Sequence, residues 1–196
     1  MGLKISFVGN PFDMFTDPAD ETAASTCVAP PGPTAPCLRT MKGKKGAAAD
    51  DGADGAAVVR GAKKVGMPGD GSCLFHSLAY GLKGTGAGPL RTAILDFMVQ
   101  HPEELVAGAK ISDWVMWDSN TSVSAYVASM RSTSAWGGAI EIAVCSMVRR
   151  CTVHVYEGAG GNKHRRISSF DNPDAGAPVV NVVYGGRVHY DALVIR

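Results

Sequence analysis

The stretch GDGSCLFHSLAYGL, Gly69–Leu82, sets a lone cysteine, Cys73, between a glycine-rich turn and an apolar run. Leu74, Leu78 and Leu82 recur at i, i+4 and i+8, and Phe75 joins Leu78 and Leu82, which predicts a helix beginning at Cys73. A cysteine in the first turn of a helix meets the positive end of the helix dipole and N–H groups that have no intrahelical partner. Both favour the thiolate, the nucleophilic form of the side chain. Gly69 and Gly71 let the backbone turn tightly, so that N–H groups of the loop Asp70–Gly71–Ser72–Cys73 can converge on one oxygen. A thiolate beside an anion-binding loop suits acyl transfer, in which the attacked carbonyl oxygen becomes an oxyanion.

A thiol nucleophile also needs a base, and the base an orienting partner. Five histidines compete. His76 lies one helical turn after Cys73, beside the nucleophile's own backbone, His101 precedes a proline, His154 sits in an alternating strand, and His164 falls in the polar run GNKHRR. His189 differs because Asp191 follows at i+2. Residues two apart on a strand share a face, so the carboxylate can hold one ring nitrogen and leave the other for the thiol, while Tyr190 faces the opposite layer. Taken alone, His-x-Asp also describes ordinary polar residues on an edge strand.

The elements that must carry these residues follow from periodicity. After Gly88-Pro89, Leu90, Ala93, Ile94, Phe97 and Met98 mark a second helix stopped by Pro102. Ser122 caps a third, with Val123, Tyr126, Val127 and Met130 on its core face. A fourth follows Gly137-Gly138, with Ile140, Ala143, Val144 and Met147 inward. Thr152–Tyr156, Val179–Tyr184 and Arg187–Ile195 read as strands, and Lys110–Thr121 reads as a surface loop. Helices first and strands later predict an α/β (α+β) domain, a mixed sheet covered by helices.

Composition bounds the rest. Nineteen basic against eighteen acidic residues leave a net charge of +1, which gives no reason to expect a nucleic-acid partner. No run of 18 apolar residues exists, so no membrane-spanning helix is expected. The first residues, MGLKISFVGN, lack the apolar region and cleavage site of a secretory signal. Cys27, Cys37, Cys73, Cys145 and Cys151 form no CxxC pair, so no structural metal is expected, and Cys145 and Cys151 read as small buried hydrophobes. Free thiols point to a cytoplasmic setting.

Residues 1–64 are rich in Ala, Gly, Pro and Asp and read as an N-terminal arm, flexible over about residues 17–62, ahead of a domain at residues 65–196. An apolar island within residues 4–15 suits a docked strand or a recognition peptide. Met1–Ser6 also matches M-G-x-x-x-[ST], the acceptor pattern for N-myristoylation at Gly2, which would add weak membrane association.

Together, DGSCLF (Asp70–Phe75), the run Tyr126…Met130…Trp136-Gly137-Gly138…Glu141, and HYDAL (His189–Leu193) resemble the ovarian-tumour (OTU) family of cysteine proteases over roughly residues 65–195. The resemblance implies a papain-like fold and thiol-dependent hydrolysis at the C-terminal glycine of ubiquitin or a ubiquitin-like modifier, by a monomer that needs no cofactor. It further implies Cys73 as nucleophile, His189 as general base, Asp191 as its orienter, and Asp70 as shaper of the nucleophile loop. Trp136, Gly137 and Gly138 are implied to be architectural, the indole in the core. His76 stands where many members carry arginine. Two alternatives remain: an inactive ubiquitin-binding module of the same fold, and a peptidase acting on ordinary peptides.

Overall fold

The computed structural model describes residues 4–7, 57–106, 108–185 and 188–196. Gly2, Cys27, Cys37 and most of the expected arm lie outside the described residues. In chain order the elements are β1 (Lys4–Phe7), β2 (Val58–Arg60), β3 (Lys63–Val65), α1 (Cys73–Leu82), α2 (Ala87–Gln100), β4 (Leu105–Val106), β5 (Ala109–Lys110), α3 (Ile111–Ser119), α4 (Val123–Met130), α5 (Ala139–Val148), β6 (Thr152–Gly158), β7 (Lys163–Asp171), β8 (Val179–Gly185) and β9 (His189–Val194).

One mixed sheet runs in the order β1-β7-β6-β8-β9-β3, with β2 also paired to β7. The β6–β8 pair is parallel and the other pairs are antiparallel. Val153, Val155, Val180 and Val182 bury one face of the central strands against the helices. A smaller cluster of Ala62, Tyr156, Val183 and Leu193 covers the other face. As neighbours on one strand, Val155 and Tyr156 point to opposite faces, and the register shift between their partners leaves Ile167 of β7 as the extra residue. Val155 joins the helical core and Tyr156 the smaller one. Helix α1 packs directly on β8 and β9, which sets Cys73 beside the strand that carries His189.

The four expected helices form as read. Ser122 Oγ accepts from the Ala125 N–H at 3.3 Å and caps α4. Helix α5 is buried through Ala139–Ser146 rather than along one stripe, because the sheet, α2 and α3 all pack around it. Its start is held by Glu141, fully buried, whose Oε2 accepts the Gly138 N–H at 2.6 Å while Oε1 accepts the Tyr126 hydroxyl at 2.7 Å. Burial pushes the Glu141 carboxyl up in pKa, opposed by these two donors.

Two expectations are corrected, and one strand lay outside the sequence reading. Lys110–Thr121 is not a loop: Ile111 and Val115, one turn apart, bury a face of α3, and Asn120 ends the helix in the left-handed region at φ 48°. No side chain caps its start, so the usual opening signal was missing. Strand β7 has a polar sequence, KHRRISSFD, and is a strand because β6 pairs along one edge while β1 and β2 pair along the other. Strands β2 and β3 fall inside the stretch read as arm, so the sheet begins ahead of residue 65.

The Tyr126–Glu141 bond ties α4 to α5, and removing its donor leaves a buried carboxylate oxygen without that partner. Tyr126→Phe is expected to cost about 1–3 kcal/mol in urea unfolding. An unchanged midpoint would contradict this brace.

Candidate active site

Cys73 is the first residue of α1 and is 6% exposed. The first helical hydrogen bond runs from the His76 N–H to the Ser72 carbonyl at 2.9 Å, so the amides of Cys73, Leu74 and Phe75 stand ahead of the ladder. Asp70 closes the preceding turn: Oδ1 accepts the Ser72 N–H at 2.8 Å, and Oδ2 meets His76 Nε2 at 3.0 Å. His76 and the Ser72 amide hold the exposed Asp70 carboxyl below its ordinary range. The Ser72 amide is thereby taken.

Gly71 is required twice over. Its φ is +82°, and a Cβ there would stand 2.7 Å from the Thr133 and Ser134 backbone. That close approach exists because Arg91, on α2, draws the two segments together. One guanidinium nitrogen donates to Met130 O and Ser132 O, each at 2.8 Å. The other, with two protons to share, lies within hydrogen-bond distance of Gly71 O (3.1 Å), Ser72 Oγ (3.1 Å), Ala135 O (3.0 Å) and Thr133 O (3.4 Å). Ser72 Oγ in turn donates to Thr133 O at 3.1 Å. The guanidinium carbon lies 4.1 Å from the centre of the Phe75 ring, so the cation also stacks on α1. Burial pulls the Arg91 pKa down, while Glu141, Asp70 and Cys73 oppose that pull. Sequence reasoning missed Arg91. The available signal was position: it precedes Leu95 and Met98 by four and seven residues, on the buried side of α2.

His189 opens β9, and its Nε2 lies 3.0 Å from Asp191 Oδ1. The expected sharing of a face holds, and Tyr190 between them packs into the helical core that includes Cys73. Gly185 pairs opposite His189, and among the described residues a Cβ at that glycine would meet nothing within 4 Å. Asp191 Oδ1 also accepts the Met67 N–H at 2.9 Å, and Oδ2 pairs with Lys64 Nζ at 2.9 Å. Burial raises the Asp191 carboxyl, but Lys64, Met67 and His189 outweigh it and leave the pKa below its ordinary value. Among the described residues no hydrogen bond joins the Cys73 thiol to the His189 imidazole. The structure brings Asp191 onto His189, and α1 onto β9.

The remaining candidates fall elsewhere. His101 ends α2 against Phe97, His154 lies near Asp171 and Arg166, and His164 is buried in β7. Cys145 and Cys151 are buried together, and their mutual hydrogen bond and burial push the Cys145 thiol up. No group of three His, Cys, Asp or Glu among the described residues could hold a metal. Trp136 corrects the sequence reading: it is 60% exposed, not a core indole. Gly137 occupies the core position instead, where a Cβ would come within 2.9 Å of Leu74 and 3.0 Å of Phe75.

Truncating Arg91 would strip five carbonyls and a hydroxyl of a charged donor. Arg91→Ala is expected to lose about 3 kcal/mol or more in urea unfolding. Arg91→Lys should recover only part, since an ammonium cannot fork to both segments. Full recovery by lysine would contradict the forked clamp.

Residues 68–192 match the family described as OTU-like cysteine protease, well over half of the chain. The "OVARIAN TUMOR DOMAIN-containing deubiquitinating enzyme 4" of Arabidopsis thaliana is 30% identical over 149 residues, covering 67% of this chain and 43% of that protein. The "Ubiquitin thioesterase OTU1" of Saccharomyces cerevisiae is 28% identical over 128 residues, covering 65% of this chain and 38% of that protein. The chain thus spans about two fifths of the length of these curated relatives. The fold is shared with the Hazara virus OTU solved bound to ubiquitin, at TM-score 0.56 and 20% identity over 75% of this chain and 94% of that one. It is also shared with the OTU domain of OTUD1, at TM-score 0.54 and 15% identity over 68% of this chain and 86% of that one. With a papain-like α+β architecture, a cysteine at a helix mouth and a His–Asp pair on the neighbouring strand, the chain belongs to the OTU-like cysteine protease family.

Proposed function

We propose that this chain is a cysteine deubiquitinase: a thiol hydrolase that cleaves the bond after the C-terminal glycine of ubiquitin or a ubiquitin-like modifier. The observation that carries the reading is the hold of Asp191 Oδ1 on His189 Nε2 at 3.0 Å, on the strand against which the Cys73 helix packs. Engaging Nε2 leaves Nδ1 as the ring nitrogen for the thiol. The names of the curated relatives and the ubiquitin bound in the Hazara virus structure support the substrate class.

In this reading His189 takes the proton of Cys73, and the thiolate attacks the glycine carbonyl. The Cys73 amide at the helix mouth, in the loop that Asp70 and Gly71 shape, steadies the oxyanion. His189 then gives its proton to the departing lysine amine, leaving a thioester. Water, deprotonated by the same imidazole, adds to the thioester, and Cys73 leaves as the thiolate. Asp191 keeps the ring oriented throughout. Gly137 and Gly138 act on packing, not on substrate. Each step is supplied by side chains and backbone of this chain, with no cofactor.

A ubiquitin carrying a C-terminal electrophile is expected to label wild-type protein covalently and to leave Cys73→Ala unlabelled. Cleavage of a ubiquitin dimer should fall by about 10²–10⁴ in His189→Ala, the usual worth of a general base. Asp191→Ala should lose less, because the base remains. Labelling of Cys73→Ala would end the proposal, and equal losses in the two other variants would contradict the roles given to them.

A further inference from the structure

Strand β3 places a cation on the far side of the orienting carboxylate. Lys64 pairs opposite Leu193, so its side chain stands on the sheet face shared by Leu193, Asp191 and His189. From there Nζ reaches Asp191 Oδ2 at 2.9 Å, while Oδ1 serves His189 and the Met67 amide. Rotation of the carboxylate would break all three contacts together. Lys64 lies outside residues 68–192, over which the family is recognised.

We propose that Lys64 is a positioning residue for the acid–base pair: it locks the Asp191 carboxylate onto His189 and offsets part of its negative charge. The proposal rests on the catalytic reading above. The Oδ2 contact answers part of the carboxylate charge and fixes the carboxylate's rotation toward His189.

Among the described residues, the other groups around the pair do not supply this charge. On β8 the partners of Asp191 and His189 are Val183 and Gly185. Tyr184 packs on Tyr190, on the helical side of the sheet. On β3, Lys63 pairs with Val194, a residue of the opposite face. Helix α1 packs on β9 from the side of Tyr190, and its His76 is engaged by Asp70. Among the described residues Lys64 is the one cation apart from His189 in contact with Asp191. The Lys64 side chain is 56% exposed against 10% for Asp191, so the effect is modest and sensitive to salt.

The test compares the full chain with Lys64→Gln and Lys64→Arg, using a fluorogenic ubiquitin C-terminal substrate across pH at low salt. Removing the positive charge should move both limbs of the kcat/KM profile to higher pH. Activity on the acid limb should fall about threefold, with a gain on the alkaline limb, and 0.5 M salt should narrow the difference. Lys64→Arg should restore the wild-type profile. A Gln profile that coincides with wild type, or a pH-independent drop that Arg does not rescue, would overturn the proposal. The His189 ring, followed by NMR titration, decides independently of turnover. Its midpoint should rise in Lys64→Gln, and an unmoved midpoint would overturn the role of Lys64 even where the protein cleaves. Absence of any cleavage by wild type would instead defeat the catalytic reading.

Discussion

The structure depends on how a permanently charged guanidinium is buried. Arg91 cannot shed its proton at any accessible pH, so it can stay inside only where its N–H groups are answered. Among the described residues no carboxylate forms an ion pair with it; carbonyl oxygens answer it instead. Those carbonyls come from two separate pieces of chain, the Gly71–Ser72 turn and the segment after α4. Satisfying one cation therefore pulls the turn before Cys73 against residues 130–135. The closeness that results is why Gly71 can carry no Cβ. The position of Cys73 is thus set from α2, a helix that carries none of the motif residues.

The opposite half of the site is held by the same logic at lower cost. Asp191 is largely buried and is answered on both oxygens by Met67, Lys64 and His189. The clamp there is half-exposed, and the strand that provides it, β3, is a short edge strand. A buried charge with many partners holds the Cys73 turn, and a half-exposed one holds the carboxylate beside His189. Both mounts come from residues outside the three sequence motifs.

What the sequence made legible follows from this division. Helices whose apolar residues recur every three or four positions were readable, as were β6, β8 and β9, because periodicity reports burial directly. Cys73, the His189–Asp191 pair and the Asp70 turn were readable because each is a local pattern, two to six residues long. Arg91 was not, since its partners lie up to 44 residues away and only the folded chain shows them together. Strand β7 escaped for a related reason: its two neighbours make it a strand, and its own side chains carry too little alternation. Trp136 was misread because an indole is usually buried, whereas here the glycine after it fills the contact with Leu74 and Phe75. Helix α3 lacked a capping side chain, and β2 and β3 are three-residue strands inside a Gly- and Ala-rich stretch.

The chain contains two His–Asp pairs at the site, and distance does not tell them apart. His76 to Asp70 and His189 to Asp191 are both 3.0 Å, and both use Nε2. Burial separates them. The Asp70 side chain is 51% exposed and Asp191 10%, so water screens the first pair far more than the second. Asp70 also spends its other oxygen on the Ser72 amide, which makes the first pair a fastener of the nucleophile turn. His76 stands one turn along the helix that carries the thiol and is occupied by Asp70, so it is poorly placed to accept the proton of Cys73. His189 stands on a different element, β9, with a largely buried carboxylate against its ring. Of the two imidazoles, His189 is the one held by a largely buried carboxylate.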